Sequence, residues 1–253
     1  MHVHPYLDAD GPIALAHRGG AEAATENSME AFEDAVQLGY RYLETDCHAT
    51  ADGVLVAFHD VELDRVTNHS GAIAEMDWAR LARVRMKKGE RIVRLDELLG
   101  TWNHVRFNID PKSDEAAALL PKCLREMGIG LDRVCFGSFS NTRLSYLRRA
   151  VPGVCTSMGP REVARLRAQS WGVPRVLGPF RAKCVQVPVR QGLLPVADQR
   201  FIAKANALGL PVHVWTINDA FEMRRLLDAG ARGIVTDRPR VLKSLLQERN
   251  QWS

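Results

Sequence analysis

The chain has no run of about 18 apolar residues, so it offers no candidate membrane-spanning helix. Its start, Met1-His2-Val3-His4-Pro5-Tyr6-Leu7-Asp8, has no charged stretch leading into an apolar one, so no targeting leader is expected and the chain reads as cytoplasmic. His2 and His4 read as a mobile tail. Cysteine is sparse: Cys47, Cys123, Cys135, Cys155 and Cys184 are five in number, widely spread and without a Cys-x-x-Cys pair. That pattern argues against a disulfide framework or a zinc site, and the five read as small core residues. Neither sign of charge dominates. A net charge of +4, with Lys and Arg interspersed among Asp and Glu, does not imply nucleic-acid binding. There is no dinucleotide-type Gly-x-Gly-x-x-Gly, no Walker pattern and no convincing Ser or Cys nucleophile motif.

What remains is an ordinary globular composition, 46% hydrophobic and 25% charged over 253 residues, enough for one large domain over residues 1–253. Short β-rich runs alternate with amphipathic helical runs throughout. The candidate strands, 13–16, 42–48, 105–109, 134–139, 154–158, 184–187, 212–217 and 233–236, fill the eight places of a closed α/β barrel, the TIM (β/α)8 fold. Asn27 followed by Glu30 predicts a capping box, with Met29, Phe32 and Val36 as the apolar stripe and Gly39 as the stop. Asp219 with Glu222 repeats the device, and Pro239 opens the last helix. Between the second and third strands roughly fifty residues intervene, more than such units need. This insertion is expected to hold a strand at 54–58, a turn-rich piece at 67–71, a helix near 76–84 and a further element at 95–99, and to shape the substrate entrance. Residues 172–175 and 177–180 predict an irregular loop.

In a parallel barrel, functional groups gather at the carboxyl ends of the strands. Glu44 and Asp46 stand two apart on a strand and so face one space, and Asp110 at the end of the next strand can join them. Three oxygen donors select a hard divalent cation, Ca²⁺ or Mg²⁺, with Mn²⁺ also suitable. His17 and His59 each follow a short apolar run and fall at the same rim, where one imidazole can take a proton while the other gives one. Arg18 and Lys112 supply fixed positive charge for a phosphate. Gly19-Gly20 can let backbone approach an anion. Trp215 ends its strand at the mouth, where its face suits a quaternary ammonium group or simply packs the barrel top. His69, His104 and His213 read as surface or core residues, and His48 stays open because its parity places it with Glu44 and Asp46.

With these residues assembled, the chain resembles the glycerophosphodiester phosphodiesterase family. The likeness runs through His17-Arg18-Gly19 with Glu26-Asn27-Ser28, then Leu43-Glu44-Thr45-Asp46 with Asp52-Gly53-Val54 and His59-Asp60. It continues through Asn108-Ile109-Asp110-Pro111-Lys112, Ser138-Phe139, Val214-Trp215-Thr216-Ile217-Asn218 and Gly233-Ile234-Val235-Thr236-Asp237-Arg238-Pro239. The resemblance implies a TIM barrel holding a divalent cation on Glu44, Asp46 and Asp110, with His17 and His59 as acid and base. It also implies release of an alcohol and sn-glycerol 3-phosphate by attack of the glycerol 2-hydroxyl on phosphorus, so no protein nucleophile is required. Asp110 stands where many relatives carry Glu, and Thr25 and Ser28 replace the usual Pro and Thr. The expected substrate is a small glycerophosphodiester. Two alternatives are a lysophospholipase D acting on monoacylated substrates and an inactive barrel that only binds phosphorylated metabolites.

Overall fold

The computed structural model describes residues 3–174 and 178–252. Eight strands make the wall: β1 (Ile13–His17), β2 (Tyr42–Ala49), β3 (Arg106–Pro111), β4 (Val134–Phe136), β5 (Cys155–Thr156), β6 (Val185–Pro188), β7 (Val212–Trp215) and β8 (Gly233–Thr236). β1 lies between β2 and β8; from there the parallel sheet runs through β3, β4 and β5 on one side and through β7 and β6 on the other. The circle closes at β5 and β6 through a single parallel bridge, Ser157 to Cys184. Met158 N donates to Cys184 O at 3.0 Å and Lys183 N to Thr156 O at 2.9 Å there. The eight expected strand windows all contain a strand, and the fold is the TIM-type α/β barrel. Because helices cover the outside while side chains fill the inside, a barrel strand is buried on both faces, and every residue of β2 is buried.

Two large apolar clusters pack the helices onto the two halves of the wall, one under Phe32, Leu43, Phe107 and Phe136, the other under Val185, Phe201, Val214 and Leu242. The first helix, Met29–Gln37, is capped by Ser28, whose Oγ accepts from Ala31 N at 3.1 Å. The sequence expectation of Asn27 as cap is therefore one residue early. Asn27 adopts a left-handed φ of 59° and its side-chain oxygen accepts from Thr45 Oγ1 at 2.8 Å, which commits the amide to β2. Asp219 caps its helix as expected, Oδ1 accepting from Glu222 N at 2.9 Å, and Pro239 is the first residue of the last helix. None of the described helices is long and apolar enough to cross a membrane.

The opposite end of the barrel is plugged by the short turn Pro5–Leu7, with Tyr6 fully buried and edge-on to Tyr42. His4 is not a loose tail: its Nδ1 accepts from Tyr6 N at 3.1 Å and its Nε2 lies 2.8 Å from Gly153 O. His2 lies outside the described residues.

The insertion between β2 and β3 contains the strand Leu55–Ala57, antiparallel to β2, and the strand Val93–Arg94 paired to it. Helices at Trp78–Leu81 and Leu95–Thr101 complete it. It has its own small core of Val56, Phe58, Leu63, Ile73, Leu81 and Ile92. Its contribution to the cavity lining among the described residues is His59, narrower than expected. The far side of the mouth is built instead by the loops after β4 and β5 and by a hairpin, Arg190–Gln191 paired with Leu194–Pro195. Residues 175–177 of the expected irregular loop lie outside the described residues.

Candidate active site

β1 delivers His17 to the rim, and the chain then turns sharply. Arg18, Gly19 and Gly20 all have positive φ (54°, 83° and 93°). A Cβ on Gly19 would sit 2.8 Å from the Ala31 and Phe32 backbone, and one on Gly20 would sit 2.6 Å from Pro239 Cγ. Close packing against the first and last helices leaves no room for a Cβ at either glycine. The turn aims Arg18 back over the barrel: its backbone N donates to Glu44 Oε2 at 3.1 Å, and its guanidinium reaches Glu26 Oε1 at 2.8 Å and Asp46 Oδ2 at 2.9 Å.

His17 is held from two sides. Its Nδ1 donates to Asp237 Oδ1 at 2.5 Å, and its Nε2 lies 3.8 Å from Glu44 Oε2. Asp237, at the end of β8, is in turn fixed by Asn218, whose Nδ2 donates to its Oδ2 at 2.8 Å. Burial disfavours the imidazolium, but the charge of Glu44 and the hydrogen bond to Asp237 outweigh it and raise the pKa of His17.

His59 follows the strand Leu55–Ala57, and Phe58 N donates to Asp46 O at 3.1 Å, which ties this segment to the end of β2. Its Nδ1 pairs with Asp60 Oδ1 at 2.6 Å; Asp60 pairs with Arg65 Nε at 2.5 Å, and Arg65 reaches on to Glu26 at 2.5 Å. Both histidines are therefore oriented at Nδ1 by a carboxylate, and both line one cavity. His48, left open by parity, is buried, with its Nε2 3.1 Å from the His59 carbonyl, so it supports the segment rather than entering the cavity. His69 and His104 lie elsewhere, and His213 is a fully buried interior residue.

Glu44, Asp46 and Asp110 all line the same cavity, yet their oxygens do not all lie within 4.8 Å of one another. Lys112 Nζ sits 2.8 Å from Asp46 Oδ1 and 2.8 Å from Asp110 Oδ2, between the two acids. Despite burial, Lys112 and Arg18 hold the carboxyl of Asp46 below its ordinary range. For Glu44 the charges of His17, Arg18 and Lys112 compensate only in part. Burial and the charge of Asp46 push it up to about 7. Burial also raises Asp110. The donor set, all oxygen and with one strained carboxylate, fits a hard divalent cation, which would relieve the charge that Glu44 carries with difficulty.

The cavity is about 660 Å³ and is asymmetric. Most charged groups line the side built by β1 to β3, whereas the opposite wall is mainly apolar, with Phe139, Met158, Val163, Trp171, Val187 and Leu194 beside one cation, Arg167. Trp215 stands at the boundary, edge-on to Phe139 with ring centroids 5.6 Å apart. It is at the expected position on the mouth.

A family model described as the glycerophosphoryl diester phosphodiesterase family matches residues 17–241. The chain belongs to that family. A probable glycerophosphodiester phosphodiesterase 2 of Mycobacterium tuberculosis is 36% identical over 258 residues, covering 98% of this chain and 95% of that protein. A lysophospholipase D of Homo sapiens, GDPD1, is 26% identical, covering 92% of this chain and 85% of that one. Among solved structures, a putative glycerophosphoryl diester phosphodiesterase of Silicibacter pomeroyi matches with a TM-score of 0.81 at 24% identity, each chain covered to 98%, and shows the same fold. As a glycerophosphoryl diester phosphodiesterase, the protein is a phosphoric diester hydrolase.

Within this glycerophosphodiester phosphodiesterase, the structure adds residues that sequence reasoning placed at the rim without a role or missed. Asp237 and Asp60 orient the histidines, Glu26 joins Arg18 to Arg65, and Asn108 receives a hydrogen bond from Gln186 Nε2 at 2.9 Å on the cavity floor. Asp60, adjacent to His59, was legible as a pair. Asp237 lies 220 positions from His17, and only barrel closure brings them together.

Proposed function

We propose that this enzyme hydrolyses glycerophosphodiesters to an alcohol and sn-glycerol 3-phosphate, with His17 and His59 as the proton-transfer pair. The observation that carries this reading is the matched arrangement of the two rings. Each has Nδ1 engaged by a carboxylate, and each lines a cavity that also contains Arg18, Lys112 and the three acids. An imidazole held in this way presents Nε2 to a ligand as either donor or acceptor. The raised pKa of His17 suits it to start as the protonated partner and deliver a proton to the departing alkoxide, while His59 takes the proton of the glycerol 2-hydroxyl as that oxygen attacks phosphorus. The resulting cyclic phosphate is then opened by water with the two roles exchanged. Arg18 and Lys112 lie where they can offset the phosphoryl charge.

Glu44, Asp46 and Asp110 are the residues that would hold a divalent cation, Ca²⁺, Mg²⁺ or Mn²⁺. When bound, such an ion polarises the phosphoryl oxygens. The five free cysteines are in keeping with a reducing compartment such as the cytoplasm.

A second reading, a monoacylated substrate, is favoured by the apolar wall. A small polar head group has no use for Phe139, Val163, Trp171 and Leu194, whereas an acyl chain laid along them would lose its contact with water. One experiment tests both. Release of sn-glycerol 3-phosphate from glycerophosphocholine and of choline from lysophosphatidylcholine is measured for the wild type, His17→Ala and His59→Ala. Both variants should lose at least a hundredfold in kcat, about the low end of general acid–base catalysis; full activity in either refutes the assignment of that ring.

A further inference from the structure

The catalytic cavity leaves unused a second group of chemically capable side chains, at the other end of the barrel interior. Cys135 on β4, Cys155 on β5 and Cys184 just before β6 are each fully buried, and their Sγ atoms all lie within 4.8 Å of one another. Cys135 and Cys155 are registered partners across β4 and β5, and the Cys135 and Cys184 sulfurs are 3.9 Å apart. A tetrahedral ion with metal–sulfur bonds of about 2.3 Å has sulfur–sulfur edges of about 3.8 Å. The spacing therefore needs little adjustment to bind one.

A separate observation points to a ligand here. Tyr6 packs in the same buried cluster as the three cysteines, and its hydroxyl has no hydrogen-bond partner among the described residues. Buried polar atoms are ordinarily satisfied, so a hydroxyl orphaned in the cluster of three thiols points to a ligand there.

The location supplies a purpose. β5 is two residues long, and the barrel closes beside it through one bridge, Ser157 to Cys184, which makes this the weakest seam in the wall. The three sulfurs come from the strands on both sides of that seam. We propose that Cys135, Cys155 and Cys184 bind one soft d10 cation of the Zn²⁺ type as a trithiolate staple across the β5–β6 closure. Binding one Zn²⁺ releases the three thiol protons and leaves a complex of net charge −1, with Tyr6 Oη, from the same buried cluster, available for the fourth position. The site is independent of the hard-cation site at the opposite end, because thiolate selects against Ca²⁺ and Mg²⁺.

No local motif announces this site, since 19 residues separate Cys135 from Cys155 and 28 separate Cys155 from Cys184. Only the parallel register gathers them.

The test uses Cd²⁺ on the full chain, kept reduced with a phosphine. Cadmium on thiolates gives an ultraviolet charge-transfer band that carboxylates cannot produce, so binding at the catalytic acids is silent. One arm adds Cd²⁺ to the native protein; a second refolds the chain in its presence, so that slow entry past the Tyr6 plug is not mistaken for failure to bind. The band should saturate at one ion per chain, and Zn²⁺ at a hundredfold excess over its Kd should raise Tm by roughly 5–10 °C. Cys155→Ala, which keeps the core apolar, and Cys184→Ser should each lose most of the band, while Cys123→Ser should keep it. Absence of the band in both arms of the wild type overturns the proposal whatever the variants do, as does a band undiminished in Cys155→Ala.

Discussion

Replacing Asp237 with Asn removes one negative charge from behind His17 and leaves the shape of the site nearly unchanged. The carboxylate accepts from His17 Nδ1 at 2.5 Å and from Asn218 Nδ2 at 2.8 Å, and it is not among the groups lining the cavity. In the variant, the amide can present its oxygen to His17 only by turning its NH₂ group toward Asn218 Nδ2, itself a donor, so one of the two contacts becomes unfavourable. A hydrogen bond to a charged partner contributes about 1.5–3 kcal/mol. If that is expressed in the step that protonates the leaving group, kcat falls by about 10- to 150-fold. KM should change little, because Asp237 does not face the substrate. The sign of the pH effect follows from the same contact. The bond to Asp237 is one of the influences that raise the pKa of His17, so its loss moves the limb of the kcat profile that reports protonated His17 to lower pH. The assay is continuous detection of sn-glycerol 3-phosphate from glycerophosphocholine across pH, with circular dichroism to confirm folding. A folded Asp237→Asn enzyme with kcat within twofold of wild type, or one whose loss lies wholly in KM, would refute the orienting role.

Chelation followed by dialysis should abolish turnover, and Ca²⁺, Mg²⁺ or Mn²⁺ should restore it; metal-independent turnover would remove the ligand role given to Glu44, Asp46 and Asp110. Leu194→Gln or Phe139→Ala should lower activity on lysophosphatidylcholine about 5- to 30-fold, the equivalent of about 1–2 kcal/mol of lost apolar burial, and leave glycerophosphocholine nearly untouched. Equal effects on both substrates would count against an acyl-binding wall. Asp198→Ala removes a helix cap, since Asp198 accepts from Phe201 N at 2.9 Å, and leaves the buried Arg167 without its partner at 2.5 Å. Chemical denaturation should show a loss of about 1–2 kcal/mol. Because the hydrogen bond to Arg167 lowers the pKa of Asp198, this contribution is present above the ordinary carboxylate value of about 3.9 and fades as pH falls through the lowered one; a cost that persists undiminished at pH 2 would contradict that origin.

The βα rhythm was legible because each barrel strand must be apolar on both faces and each helix on one, and those two periods are written locally in the chain. The same locality explains why Glu44 and Asp46, two apart on β2, and His59 beside Asp60 could be read as pairs. Asn27 shows the limit even at short range. Asparagine is a good cap by composition, yet Thr45 on the neighbouring strand claims its side chain, and the cap passes to Ser28. The hairpin at 190–195 and the apolar wall of the cavity escaped notice because exposed leucines and valines carry no periodic signal until their neighbours are known.

The sequence by itself determined the order of strands, the residue types available for acid–base and cation chemistry, and the rim on which they fall, since strand direction alone assigns each strand end to one face of the barrel. Tertiary structure decided who touches whom: Asp237 behind His17, Lys112 between Asp46 and Asp110, and three distant cysteines in one buried cluster. Closing eight strands into a ring sets distances that depend on register and stagger across the whole circle, and no local stretch of chain contains that information.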